Sequence, residues 1–415
     1  MPARLSGRFS GTLLLVAAVL VLLSFVRVIT GQEDITSSGT MGAALRLAIP
    51  IGMAGLGGLF AERAGVVNIG LEGMMILGTW FGAWGGFQFG PWWGVLAGIA
   101  GGALGGLLHA VATVTFGVDH IVSGVAINIL GAGVARYLSV IAYAHTPGGG
   151  ATQSPEIKRD IQTVTLPVLS GGTFFGWHSP DPLGSLERHR WFLVSDLAGI
   201  LHGLTAGVSL LAVVAVLLIP ASYFLLWRTA LGLRLRSVGE NPVSAESLGV
   251  PVYRMKYLAV IISGGLAGLG GAFLSIVGSS IYREGQTGGQ GFIGLAAMIF
   301  GNWRPGGLAA GAALFGYADA LQLREQSAVH ALLLFTALLL ALLAVRSAVR
   351  RAIRSAVFSA VAAAAFAIWF FGSDAVPPEF VSFTPHIVTL LVLSLAAQRL
   401  RMPAADGQPY RKGQQ

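Results

Sequence analysis

The chain has 415 residues, of which 54% are hydrophobic and 11% charged, with a mean hydropathy of +0.73. Soluble globular proteins carry about 25% charged residues, so the composition excludes a soluble domain and points to an all-α polytopic membrane protein. Zero cysteines exclude disulfides, thiolate metal sites and cysteine nucleophiles, and the net charge of +8 reads as basic residues flanking apolar spans, not as a nucleic-acid surface.

A crossing helix needs roughly 17–25 mostly apolar residues. On that measure the chain predicts about twelve spans: 11–30, 41–60, 66–89, 91–116, 121–144, 197–227, 257–281, 288–303, 305–324, 328–345, 355–371 and 384–400. The first follows Arg4 and Arg8, like a signal peptide, but no A-x-A site follows it, so it reads as a retained helix. The short stretch 288–303 reads as a half-crossing, and 60–75 is a candidate for another. Twelve spans put both termini on one side. Basic clusters at 228–256, 346–354 and in the tail then fall inside, and the charge-balanced loop 145–196 falls outside.

Two stretches echo each other. GMAGLGGLF at 52–60 matches GLAGLGGAF at 265–273, an offset of 213, and IGLEGM at 69–74 matches IGLAAM at 293–298, an offset of 224. With twelve spans the copies cross in opposite directions, which is an inverted internal repeat. Such repeats suit a transporter with a solute path near the midplane. The expected organisation is an N-terminal helix and outer loop (1–40), a first repeat half (41–144), an extracellular loop (145–196), and a helix with an inside loop (197–256). A second repeat half (257–325), an apolar hairpin (326–375) and a last helix with a basic tail (376–415) complete it.

The inside loop carries its own helix signals. Asn241 suits an N-cap, Pro242 the first helical position and Gly249 the stop, with Pro251 just beyond. A helix at about 242–248 is marginal alone in water. It rests either on lipid headgroups or on a partner protein.

Polar groups inside spans are costly and mark function by default. Asn68 and Glu72 stand four apart, on one face if that stretch is helical. Asn128 lies in IVSGVAINILG, and Asn302 and Trp303 follow the second IGLxxM echo. Amides and an aromatic face suit a sugar or nucleoside, so these five are the candidate substrate path. Interhelical packing bonds are the alternative for each. Glu72 corresponds to Ala296 in the second copy, which makes the halves chemically unequal. There is no catalytic constellation and no metal-ligand spacing among the eight histidines.

ERAGVVNIGLEGMM at 62–75, GLRLRSVGENPVSAESLGV at 232–250 and ISGGLAGLGGAF at 262–273 resemble the bacterial ABC-importer permeases serving branched-chain amino acids, simple sugars and nucleosides. Within that family ERAGVVNIGLEG is most similar to nucleoside and simple-sugar permeases paired with a basic-membrane-protein type lipoprotein. The resemblance covers roughly 41–325 and resumes at about 376–412, leaving 331–375 as an inserted hairpin that faces lipid or a neighbouring subunit. It implies a type II importer permease fold of about ten core spans plus that hairpin, in the bacterial inner membrane. It also implies an ABC ATPase subunit, a second permease subunit in a heteromeric pair, and an extracellular substrate-binding lipoprotein. The 232–250 block then corresponds to the ATPase-coupling segment, carried by Gly239, Glu240, Asn241, Pro242, Ala245, Glu246, Leu248 and Gly249. No GxxxxGK[ST] loop occurs, so ATP is expected on the partner and no cofactor on this chain. An ion-coupled secondary transporter is the other reading; it would use Glu72 and Asp319 and would leave the loop helix without a role.

Overall fold

Long runs of Leu, Ala, Val and Gly with few breakers form helices almost throughout. The computed structural model describes residues 3–174, 176–323, 326–377 and 400–412. They include α1 (Ala3–Thr30), α2 (Ser38–Arg63), α3 (Leu71–Phe89), α4 (Pro91–Ala110), α5 (His120–Tyr143), α6 (Pro182–Arg188), α7 (Val194–Thr205) and α8 (Leu210–Arg228). There follow α9 (Ala230–Glu240), α10 (Pro242–Ser247), α11 (Val252–Phe273), α12 (Gln290–Phe300), α13 (Pro305–Gln322), α14 (Gln326–Val349) and α15 (Ile353–Gly372).

Among the described residues, seven helical stretches are long and apolar enough to cross a membrane: 33–63, 91–115, 120–143, 210–228, 252–278, 327–349 and 353–372. The expectation of twelve is therefore not met by length and apolarity alone, and the span at 384–400 lies outside the described residues. Two boundaries change for physical reasons. The stretch 197–227 is broken: α7 ends at Thr205, Gly207 takes φ +61°, and Ser209 caps α8 by accepting from Ala212 N at 3.1 Å. The stretch 66–89 starts late, because residues 64–70 are not helical. The 288–303 segment is the short α12, and its eleven residues reach about 16 Å at 1.5 Å per residue, half a hydrocarbon layer.

The chain divides into two compact units. The first comprises 1–45, 164–208 and 317–387; the second comprises 46–163, 209–316 and 388–415.

In the first unit, Val26, Ile35, Ala331 and Leu334 form a buried cluster beneath Phe335 and Phe370, and α14 and α15 pack as a hairpin. α15 leaves Phe358, Ile368 and Phe371 exposed, an apolar face suited to lipid. A polar tie joins distant parts of this unit. Asp196 accepts from Ser24 Oγ and Thr36 Oγ1, both at 2.5 Å, and its carboxylate lies 2.6 Å from Arg27 Nε. Burial alone would raise the Asp196 pKa; the bonds from Ser24, Thr36 and Arg27 outweigh it and hold the carboxyl below its usual range. The carboxylate therefore stabilises the fold above the ordinary carboxylate pKa, and that contribution is lost as pH falls through the depressed value. Asp196→Asn should cost about 3 kcal/mol at pH 7. The gap to wild type should narrow below pH ~4, as measured by denaturant unfolding of the two purified proteins at both pH values.

The second unit is assembled by glycine. A Cβ at Gly102 would overlap the Gly264 carbonyl, and one at Gly78 would overlap Gly268, so α3, α4 and α11 touch backbone to backbone. The repeat is visible in its packing. Gly57 of α2 lies against the Ser263 backbone of α11, and Gly270 lies against Pro50. The 213-residue offset carries 50 onto 263 and 57 onto 270, so these are one contact seen from either copy. Positions rise along one helix as they fall along the other, which makes the crossing antiparallel, as an inverted repeat requires. The second echo is not equivalent in this way. IGLEGM straddles the start of α3, whereas IGLAAM lies inside α12.

Candidate functional site

The first cluster surrounds the irregular stretch 64–70, which leads into α3. Non-helical backbone at membrane depth must find its partners in protein, and here they are side chains from α4, α5 and α11. Val67 N–H donates to His120 Nδ1 at 3.2 Å, and His109 Nε2 donates to Val67 O at 3.1 Å. His109 Nδ1 then accepts from Ser123 Oγ at 2.9 Å, which fixes its tautomer. Lys256 Nζ donates to Gly65 O at 3.2 Å. Asn128 bridges the entry to the helix, donating to Ile69 O at 3.1 Å and accepting from Gly73 N at 2.7 Å. Asn68 accepts from Gly70 N at 3.1 Å and donates to Ser263 Oγ at 2.8 Å.

Glu72 joins this stretch to the second repeat. Its carboxylate accepts from Thr287 Oγ1 at 2.6 Å, Gly289 N at 3.0 Å and Gly291 N at 2.7 Å. Those donors open α12, so Glu72 caps a helix of the other copy. A negative group also suits a helix N-terminus. The fit is close: a Cβ at Gly291 would overlap the Glu72 backbone. Asn68 and Glu72 do not share a helical face, because Asn68 precedes the first turn of α3. The structure brings Asn68, Glu72 and Asn128 together around that turn.

Asn302 and Trp303 stand elsewhere, in the turn between α12 and α13, both with φ +53°. Trp303 Nε1 donates to Glu62 Oε2 at 2.5 Å, and Trp303 O accepts from Arg63 Nε and Nη2 at 3.1 and 2.7 Å. These bonds join the end of α2 to the end of α12. A cavity of about 430 Å³ opens beside them, lined by Arg63, Trp227, Glu240, Asn302, Arg304, Arg401 and Met402.

The expected loop helix is α10. Asn241 Oδ1 accepts from Ser244 N at 2.9 Å, Pro242 is the first helical residue, and Gly249 takes φ +80°. α9 folds back beneath α8, where Arg236 Nε donates to Leu226 O at 2.9 Å. The eight expected coupling residues divide by burial. Gly239 and Ala245 are buried, Gly239 because its Cα faces the Arg63 carbonyl too closely for a Cβ. Leu248 is 84% exposed, and Val243 beside it is 47% exposed.

A known family covers this arrangement. Residues 40–345 match the model of the branched-chain amino acid transport system permease component. The chain belongs to this permease family. It is 32% identical over 379 residues to a guanosine ABC transporter permease protein of Bacillus subtilis, covering 89% of this chain and 96% of that one. It is 32% identical to a nucleoside ABC transporter permease protein of Lactococcus lactis, over 88% and 93% of the two chains. A putative glucose ABC transporter permease protein of Haloferax volcanii is 33% identical, over 70% of this chain and 79% of its own. No solved structure matches. The chain is therefore the permease subunit of an ABC importer, a multi-pass membrane protein that works with an ATPase. The family match continues to 345, inside α14, so family-like sequence does not stop at 325.

Sequence reasoning missed His109, His120, Lys256 and Ser263. Lys256 read as a positive-inside residue, yet it is 3% exposed and reaches the Gly65 carbonyl. The available signal was clearest for His109, an ionisable group inside the apolar run LGGLLHAVATV.

Proposed function

We propose that this permease imports a nucleoside across the bacterial inner membrane, with both termini on the cytoplasmic side. The observation that carries the substrate is coverage. The relatives named for guanosine and nucleosides align over 89% and 88% of the chain, against 70% for the one named for glucose. ATP is hydrolysed on the partner, since the chain has no phosphate-binding loop. The partner docks on Leu248 and Val243 at the cytoplasmic face, and its movement passes through α9 and α10 into α8 and α11. A second, related permease subunit and a substrate-binding lipoprotein complete the importer.

In this reading Asn68, Glu72 and Asn128 hold the broken entry to α3 in shape, and Asn302 and Trp303 belong to the coupling end. Ion coupling is disfavoured because three donors already occupy Glu72 and Asp319 is engaged.

Uptake of labelled guanosine by cells expressing the importer tests the substrate. Unlabelled nucleosides should compete, and glucose in large excess should not. Competition by glucose without competition by nucleosides would overturn the assignment.

A further inference from the structure

α10 has six residues and would not hold a helix alone. Its support comes partly from the far end of the chain. Residues 400–412 lie along the coupling segment, with Ala405 N–H donating to Gly239 O at 2.9 Å and Ala404 N–H to Glu240 Oε2 at 3.4 Å. Arg401 N–H donates to Asn302 Oδ1 at 2.7 Å. Asp406 meets the Glu62 carboxyl, and burial pushes Asp406 up to about 7. Tyr410 closes the assembly. Its hydroxyl donates to the Glu246 carboxylate, its ring centroid stands 5.6 Å from that of Tyr253, and it packs on Val238, Ala245 and Val252. The tail therefore touches the end of α9, the body of α10 and the start of α11.

Arg254, Arg411 and Lys412 are exposed, and none has an ion-pair partner among the described residues. Arg254 follows Tyr253, and Arg411 and Lys412 follow Tyr410, so the contact between the two tilted tyrosine rings brings these cations to one neighbourhood.

We propose that residues 400–412 form one composite docking element with α9 and α10, in which Tyr410 positions α10 and Arg411 and Lys412 extend the partner-binding surface. The surface it fits is an apolar recess for Val243 and Leu248 with carboxylates at its rim. The ATPase is the occupant, because it is the partner the coupling segment serves; the inference rests on that docking role.

The test measures affinity between the solubilised permease complex and its ATPase, together with the unfolding temperature of the permease. Tyr410→Phe and Glu246→Gln should each weaken ATPase binding about tenfold, as loss of a bond to a charged group implies. The double variant should be no worse than either single variant, because both remove the same bond. The unfolding temperature should stay unchanged. Arg411→Gln with Lys412→Gln should flatten the salt dependence of binding. Leu248→Asp is the control for the underlying reading. If it leaves binding intact, docking on α10 is itself overturned. If it abolishes binding while the Tyr410, Glu246 and charge variants bind as wild type, only the role of the tail is overturned.

Discussion

Glu72→Ala should destabilise the folded permease by about 3–5 kcal/mol, because it strips the partner from two buried donors and a half-buried third at once. The donors are Thr287 Oγ1, Gly289 N and Gly291 N, and they lie at the start of α12. No water can replace the carboxylate easily, since Glu72 is 7% exposed and its backbone is pressed against Gly291. Glu72→Gln should lie between the two, because its amide keeps one acceptor and turns a donor toward groups that also donate. Denaturant unfolding of the purified permease in micelles measures the loss. A Glu72→Ala protein that unfolds like wild type yet fails to transport would show that this carboxylate handles solute and does not tie the repeats together.

The second large effect separates function from folding. Leu248→Asp replaces an 84% exposed side chain, so stability should change by no more than about 0.5 kcal/mol. ATP-driven uptake should nevertheless fall at least about tenfold, as expected when a central apolar anchor of an interface becomes a charge. Expression, membrane insertion and unfolding of the variant supply the comparison. Wild-type uptake by Leu248→Asp would remove α10 from the coupling path.

These two positions illustrate what a sequence can carry. The ends of α10 were legible because a cap, a first-turn proline and a stop glycine are local chemistry, and Asn241, Pro242 and Gly249 take those roles. The crossing of α2 and α11 was legible because a repeat carries its own symmetry, expressed in the paired contacts of Gly57 and Gly270. The break at 64–70 was hidden because AGVVNIG is as apolar as a span. Its backbone is satisfied by side chains far along the chain, such as Lys256, which lies 191 residues from Gly65. The break in 197–227 was hidden because its local signs, Gly207 and the capping Ser209, sit in an otherwise apolar run. Asn302 and Trp303 read as midplane groups from their place after an echo. Their left-handed turn instead carries them to Arg63 and Glu62 at the end of α2. The role of Glu72 was half visible. Its mismatch with Ala296 marked the asymmetry, while the three donors that use it lie in the other copy.

We propose that this chain moves solute with energy supplied by another subunit. Proteoliposomes holding the permease pair and its ATPase, with substrate-loaded binding protein outside, measure it most directly. Labelled guanosine should accumulate when ATP is sealed on the α10 side, and the same vesicles made with Leu248→Asp should not accumulate it. Accumulation driven by a proton gradient in vesicles lacking both ATPase and ATP would instead make the permease an ion-coupled transporter.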